Sequence, residues 1–282
     1  MIHKNPALEA FKTFLTYAAL ILIVFMIDLP IISMIGTSFK ERYQALSTTS
    51  LLPGIGEWDV NSYIAVIGST TFLQNILNSF VVAASVTVSC VIIASMGGYA
   101  LSRFRGKIFS GYAIFLMLLQ MFPLMLLLMP LYVIYQGMGL INSLWSVIIS
   151  YTTINLAFSI WMLKGFFDTL PRELEQAGLV DGCTRFGVWL RIVMPISLPG
   201  IGTVAIFTFI NAWNEYTLAS IFLRRDEVQT MTVGLQKFVL QFSSDWPLLM
   251  SASAMATLPT ILFLVFAQKL LIQGMTAGAV KG

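Results

Sequence analysis

Six long, mostly apolar stretches divide this chain, at about residues 14–35, 75–101, 108–135, 140–166, 196–222 and 247–272. A helix rises 1.5 Å per residue, so about 20 apolar residues cross the roughly 30 Å hydrocarbon core of a bilayer. Lipid supplies no hydrogen bonds, and a span of this length satisfies its own backbone only as a helix. With 57% hydrophobic against 10% charged residues, the chain reads as an all-α, polytopic membrane protein of six transmembrane helices, a single domain over residues 1–282. The first stretch, preceded by Lys4 and Lys12, has the basic start and apolar middle of a signal peptide. It is too long, and no small-residue cleavage site follows, so it reads as a retained span. Pro123 and Pro130 predict a kink in the third span.

The basic residues set the orientation. With the N-terminus inside, 11 of the 16 Lys+Arg fall on one side, leaving Lys40, Arg42, Arg224, Arg225 and Lys237 on the other. The excess places both termini in the cytoplasm. The polar connection 37–74 is then external, with a short helix around 60–66, and so is the connection after the fifth span.

Between spans four and five lies the most polar segment, LPRELEQAGLVDGCTRFGVWLRIVMPISLPG, residues 170–200. Pro171 suits the first turn of a helix, and Glu173 and Glu175 complement the dipole there. Gly182 makes a turn, Thr184 caps a second short helix to about Val193, and Pro195 and Pro199 end it. Such a helix–turn–helix has too little apolar surface to fold alone. It is a knob suited to docking into another protein.

The knob resembles the coupling loop, or EAA loop, of the membrane subunits of binding-protein-dependent ABC importers. Gln176, Ala177 and Gly178 stand at Glu-Ala-Ala, Gly182 at the glycine, Ile192 at the isoleucine and Met194-Pro195 at Leu-Pro. Spacing is kept, while Gln176, Gly178 and Met194 depart from the pattern. The runs GYALSRFRG, WMLKGFFDTLPRELEQ and TAGAVKG are similar to the sugar-transporting branch, and the short external loops to its smaller, maltose-type permease subunit.

The resemblance implies a permease subunit in the bacterial cytoplasmic (inner) membrane, not an enzyme. It implies a heterodimer with a second permease subunit, two ATPase subunits that carry ATP and Mg, and an external sugar-binding protein. On that reading Glu173, Glu175, Asp181 and Arg185 orient the knob on the ATPase, with Gln176, Ala177, Gly178, Gly182, Ile192 and Pro195 as the other coupling residues. Gly278 and Lys281 in the tail are a further ATPase contact, and Gln236, Phe238, Phe242 and Trp246 touch the binding protein. A loop packed on its own subunit is the alternative for those last four.

Polar groups in lipid turn inward. Asn211, Asn214 and Glu215, beside Trp213, sit at i, i+3 and i+4 on span five, with Asn75 and Asn78 on span two and Tyr151 and Asn155 on span four. Amides, a carboxylate and rings are groups that recognise sugars, and they equally make interhelical hydrogen bonds. Met117, Met121, Met125 and Met129 form a stripe for core or subunit-interface packing.

Other chemistry finds little support. The single histidine, His3, excludes histidine catalysis, and Cys90 and Cys183 alone make no metal site. No G-x-x-x-x-G-K-[ST], HExxH or GxSxG occurs, so the chain itself binds no nucleotide cofactor. A net charge of +3 argues for no nucleic acid. An ion-gradient-driven secondary transporter is the alternative function, with Glu215 its one strong ionisable candidate.

Overall fold

The computed structural model describes residues 6–68, 70–241 and 245–279, all of whose regular structure is helical. The elements are α1 (Pro6–Ser38), α2 (Arg42–Ser47), α3 (Asn61–Gly68), α4 (Thr70–Arg103), α5 (Lys107–Gln120), α6 (Leu124–Gly137), α7 (Leu144–Asp168), α8 (Glu173–Val180), α9 (Arg185–Val188), α10 (Met194–Ile196), α11 (Leu198–Asn214), α12 (Thr217–Phe222), α13 (Met231–Gln241) and α14 (Trp246–Ala279). Four helices are long and apolar enough to cross a membrane unbroken, over Phe11–Ser38, Thr71–Arg103, Leu144–Asp168 and Trp246–Val265. Two bent pairs, Lys107–Gln120 with Leu124–Gly137 and Arg185–Ile196 with Leu198–Asn214, bring the number among the described residues to six where each pair is counted as one broken span.

The third stretch departs from a kinked helix. α5 and α6 meet at 94°, and neither is long enough to span alone. The N–H groups of Met121 and Phe122 close onto Leu118 and Leu119 as tight three-residue turns. Pro123 then has no N–H to continue the ladder, and its own ψ of 117° is extended rather than helical. The break also splits the methionine stripe, and Met117, Met121, Met125 and Met129 are all exposed on this chain rather than in its core. The fifth stretch is broken too, ending α11 at Asn214 and resuming as α12.

The chain forms two compact units. In the first (residues 1–69 and 237–255), the connection after α1 is an ordered lobe rather than a loop with one helix. Phe39 packs against Trp58 and Tyr63, and the Ser38 hydroxyl meets that of Tyr63 at 2.7 Å. Lys40 is buried, its ammonium donating to the Ser50 carbonyl and, at 3.4 Å, to the Thr48 hydroxyl.

In the second unit (residues 70–236 and 256–282), α4, α7 and α11 pack together. Their core includes Ala94, Ala157, Ile160, Leu163, Phe167 and Val204, and continues into the knob through Val188 and Val193. Small residues let the backbones approach. A Cβ at Gly98 would lie 2.9 Å from the Lys164 backbone nitrogen and 3.0 Å from the Ile160 carbonyl oxygen, so α4 and α7 touch main chain to main chain there. Phe263 of α14 stacks on Phe209 of α11, centroids 4.0 Å apart.

Candidate functional site

The knob is built from local backbone preferences. Arg172 precedes α8, and Glu173 and Glu175 lie in its first turn. At the other end Cys183 N–H reaches back to the Gly178 carbonyl and Gly182 N–H to that of Leu179. That pair of bonds is a Schellman motif, which needs a left-handed residue at its centre. Gly182 supplies it with φ +87°. Thr184 then accepts from Gly187 N–H at 3.1 Å and starts the second limb.

The second limb does not end at Pro195. A π-helical turn over Trp189–Val193 widens the ladder, with Met194 N–H bonding the Trp189 carbonyl, and the proline is absorbed into α10. The bend of 77° comes at Ser197 instead.

Of the coupling candidates, Glu173, Gln176, Ala177, Asp181, Gly182, Arg185 and Pro195 are exposed. Glu175, Gly178 and Ile192 are not. They hold the knob together and to its own spans. A Cβ at Gly178 would lie 2.4 Å from Ile192 Cδ1 and 3.2 Å from Val188 Cγ2, so this glycine admits the second limb against the first.

Glu175 turns towards α4. Its Oε1 receives Arg103 Nε at 2.5 Å and its Oε2 receives the Tyr99 hydroxyl at 2.7 Å. Their charged side chains keep only 10% and 13% exposure. Arg103 also reaches Ser102 Oγ at 2.9 Å, and Ser102 donates to Asp168 at 2.6 Å, which in turn pairs with Lys164 at 2.7 Å. The ends of α4, α7 and α8 are thus fastened by one network. Sequence reasoning missed Tyr99, Arg103, Ser102 and Asp168 as a functional group. The available signal was Tyr99 and Arg103 at i, i+4 where an apolar run ends.

The polar span residues divide. Asn78 donates to the carbonyls of Glu227 and Gln229 at 2.9 and 3.0 Å, and Asn75, with its amide nitrogen turned to them, to Asp226 and Gln229 at 3.0 and 3.1 Å. Both pin the 226–229 connection to α4. Asn142, which the sequence did not single out, does the same from the other side, accepting from Arg224 and Arg225 N–H at 2.7 and 2.9 Å. Trp213 and Tyr151 are buried core residues. Asn155 is buried and accepts from Asn211 at 3.2 Å. Asn211 and Asn214 are exposed on α11.

Glu215 does not share their helical face. It lies in the break, φ −71° and ψ 128°, where its carboxylate accepts from Leu218 N–H (3.0 Å), Ala219 N–H (3.4 Å) and the Tyr151 hydroxyl (2.5 Å). It is the cap of α12. Glu215→Ala is therefore expected to destabilise the protein by about 2–3 kcal/mol, since it leaves a buried hydroxyl and two N–H groups unpaired, and Glu215→Gln by less. Thermal unfolding in detergent measures both, and equal midpoints for wild type and alanine variant would contradict this role.

Of the external contact candidates, Trp246 is exposed, Gln236 half-buried and Phe238 buried, so Phe238 packs inward rather than offering a docking surface. Phe242 and, in the tail, Lys281 lie outside the described residues, and Gly278 is in the last turn of α14.

The family model for binding-protein-dependent transport system inner membrane components matches residues 90–277, a segment that holds the knob and both halves of its network. The chain belongs to this family. Among its relatives are the sulfoquinovosyl glycerol transport system permease protein SmoH of Agrobacterium fabrum, 35% identical over 73% of each chain, and the trehalose/maltose transport system permease protein MalG of Thermococcus litoralis, 31% identical over 97% of this chain and 99% of that one. The inner membrane ABC transporter permease protein YcjP of Escherichia coli is 33% identical over 94% and 95%. A crystal structure of a bacterial ABC transporter involved in import of the acidic polysaccharide alginate shares the fold, with TM-score 0.82 at 19% identity, over 96% of this chain and 100% of that one. The protein is a helical transport component of the ABC permease kind, and not an enzyme.

Proposed function

We propose that this chain is the smaller permease subunit of an ATP-driven importer for a sugar of the oligosaccharide or glycoside class. It pairs with a second permease subunit and two ATPase subunits that hold ATP and Mg, and receives the sugar from an external binding protein. The observation that carries the reading is a knob with an exposed polar tip whose inner side is bound to α4 by the Glu175–Arg103 pair, with α4 in turn tied to α7 by Ser102–Asp168. Relatives named for sugars, and the exposed side chains of Asn211 and Asn214 on α11, support the substrate class.

In this account the knob, both termini and the Gly278–Lys281 tail face the cytoplasm, as the basic residues favour. Closure of the ATPase pair on ATP displaces the knob through Glu173, Gln176, Ala177 and Asp181, while Arg185 leans over the Phe104 ring at the end of α4. Because the knob shares a core with α4, α7 and α11, its displacement tilts those helices and opens the path on alternate sides.

Gly182→Trp tests this. A Cβ there meets nothing within 4 Å, so the indole costs the isolated chain only backbone strain of about 1–3 kcal/mol at positive φ, which Gly182→Ala shares. In a reconstituted complex with binding protein and sugar, the tryptophan variant is expected to lose sugar-stimulated ATP hydrolysis and uptake, while the alanine variant keeps most of both. Normal transport by the tryptophan variant would remove the knob from the coupling path.

A further inference from the structure

Between the end of α4 and the inner side of the knob lies an open groove of about 620 Å³. Its character changes along its length. Met96, Phe104, Phe186 and Trp189 supply an apolar wall, and Arg172 and Arg185 stand among them at the knob. Met96 precedes Arg103 by two turns of α4, about 10 Å along the axis. The groove therefore begins on the flank of a span and ends among guanidinium groups.

The charge there is uncompensated. Arg103 is neutralised by Glu175 at 2.5 Å. Among the described residues, by contrast, no carboxylate pairs with Arg172 or Arg185. Arg172 reaches the Ser102 carbonyl at 3.5 Å, and Arg185 lies over the Phe104 ring with its Cζ 6.0 Å from the centroid. Trp189, itself nine-tenths buried, holds an indole N–H with no acceptor among the described residues.

We propose that this groove binds an anionic phospholipid, with its phosphate between Arg172 and Arg185 and the upper part of an acyl chain against Met96 and Phe186. A free phosphate would satisfy the arginines and leave the apolar wall bare, and a neutral lipid would do the reverse. Basic pockets beside a span with an aromatic rim are the general form of such sites. The bound lipid would lie against both the α4 end and the knob, so it would stiffen the joint that links them. The site does not depend on which solute the protein carries.

The test uses the assembled transporter in detergent, measured by native mass spectrometry with phosphatidylglycerol, with phosphatidylcholine of the same chains, and with inorganic phosphate. Wild type is expected to retain phosphatidylglycerol about tenfold better than phosphatidylcholine, consistent with two basic contacts. Arg172→Gln with Arg185→Gln should lower that preference to within twofold. Arg105→Gln with Arg191→Gln, an equal loss of charge outside the groove, should leave it. Met96→Trp fills the apolar end and keeps both arginines, so it should also lower retention. Equal retention of the two lipids by wild type overturns the proposal. So does phosphate displacing the lipid at millimolar concentration, or a preference that the groove and control variants lose alike. Preference in the permease alone that vanishes on assembly would mean that the ATPase covers the groove, and would overturn it as well.

Discussion

Arg103→Ala is expected to abolish coupled sugar uptake while the assembled complex still hydrolyses ATP. Removing this guanidinium strands the Glu175 carboxylate in a site where the two charged side chains keep only 10% and 13% exposure. Breaking a buried pair by deleting one partner costs about 3–5 kcal/mol, and residual exposure brings the value here to about 2–3 kcal/mol. Each 1.4 kcal/mol is tenfold in an equilibrium, so the knob leaves its fastened orientation at least tenfold more often. On the proposed function the ATPases can still close, but their motion reaches a joint that gives.

Three variants separate this from general damage. Arg103→Lys keeps the charge and loses the planar fork, so it should transport at an intermediate rate. Glu175→Gln removes the charge but can still accept from Tyr99, and should resemble the lysine variant. Exchange of the two residues, Arg103→Glu with Glu175→Arg, should recover part of the lost uptake. Uptake and hydrolysis measured together in proteoliposomes decide the matter. Wild-type uptake by Arg103→Ala, or no recovery in the exchange, would show that the ion pair transmits nothing.

A large stability effect is expected at Gly98. A Cβ there would meet the Lys164 nitrogen at 2.9 Å, the Ile160 oxygen at 3.0 Å and Leu163 Cβ at 3.1 Å, and none of these is the free end of a flexible side chain. The helices must separate. Gly98→Ala should cost about 1–3 kcal/mol, and Gly98→Leu should prevent α4 and α7 from packing at all. Gly165 of α7 is the matched control, because nothing lies within 4 Å of its Cβ position. Gly165→Ala should be neutral or stabilising by up to about 1 kcal/mol, as alanine favours a helix. Thermal unfolding in detergent ranks the three, and equal midpoints for Gly98→Ala and Gly165→Ala would contradict the close crossing.

Several readings made from residues alone stand beside their corrections. Thr184 and Gly182 declared the knob's turn because a cap and a left-handed position are each a matter of a few neighbouring residues. Pro195 misled as a helix end, because the π-type turn that absorbs it has no marker in the local sequence. Asn75, Asn78 and Glu215 attracted attention rightly as polar groups in oily runs. Their partners are backbone groups of the 226–229 connection and of α12, which no spacing rule could supply. Glu175 was legible as an acid in a helix's first turn, but not as the partner of Arg103, 72 residues away in sequence.

By itself, the sequence determined that this protein is a series of apolar helices interrupted by one polar helix–turn–helix. Hydrophobic length, caps and turn glycines act within a few residues of chain, and lipid leaves the backbone no alternative to the helix. Only the tertiary structure decided which side of that knob faces its own spans. It also decided that α4 and α7 meet at Gly98 and that Glu215 caps a helix rather than lining a face. Those outcomes depend on side chains brought together from distant parts of the chain, where burial charges each polar group for any partner it lacks.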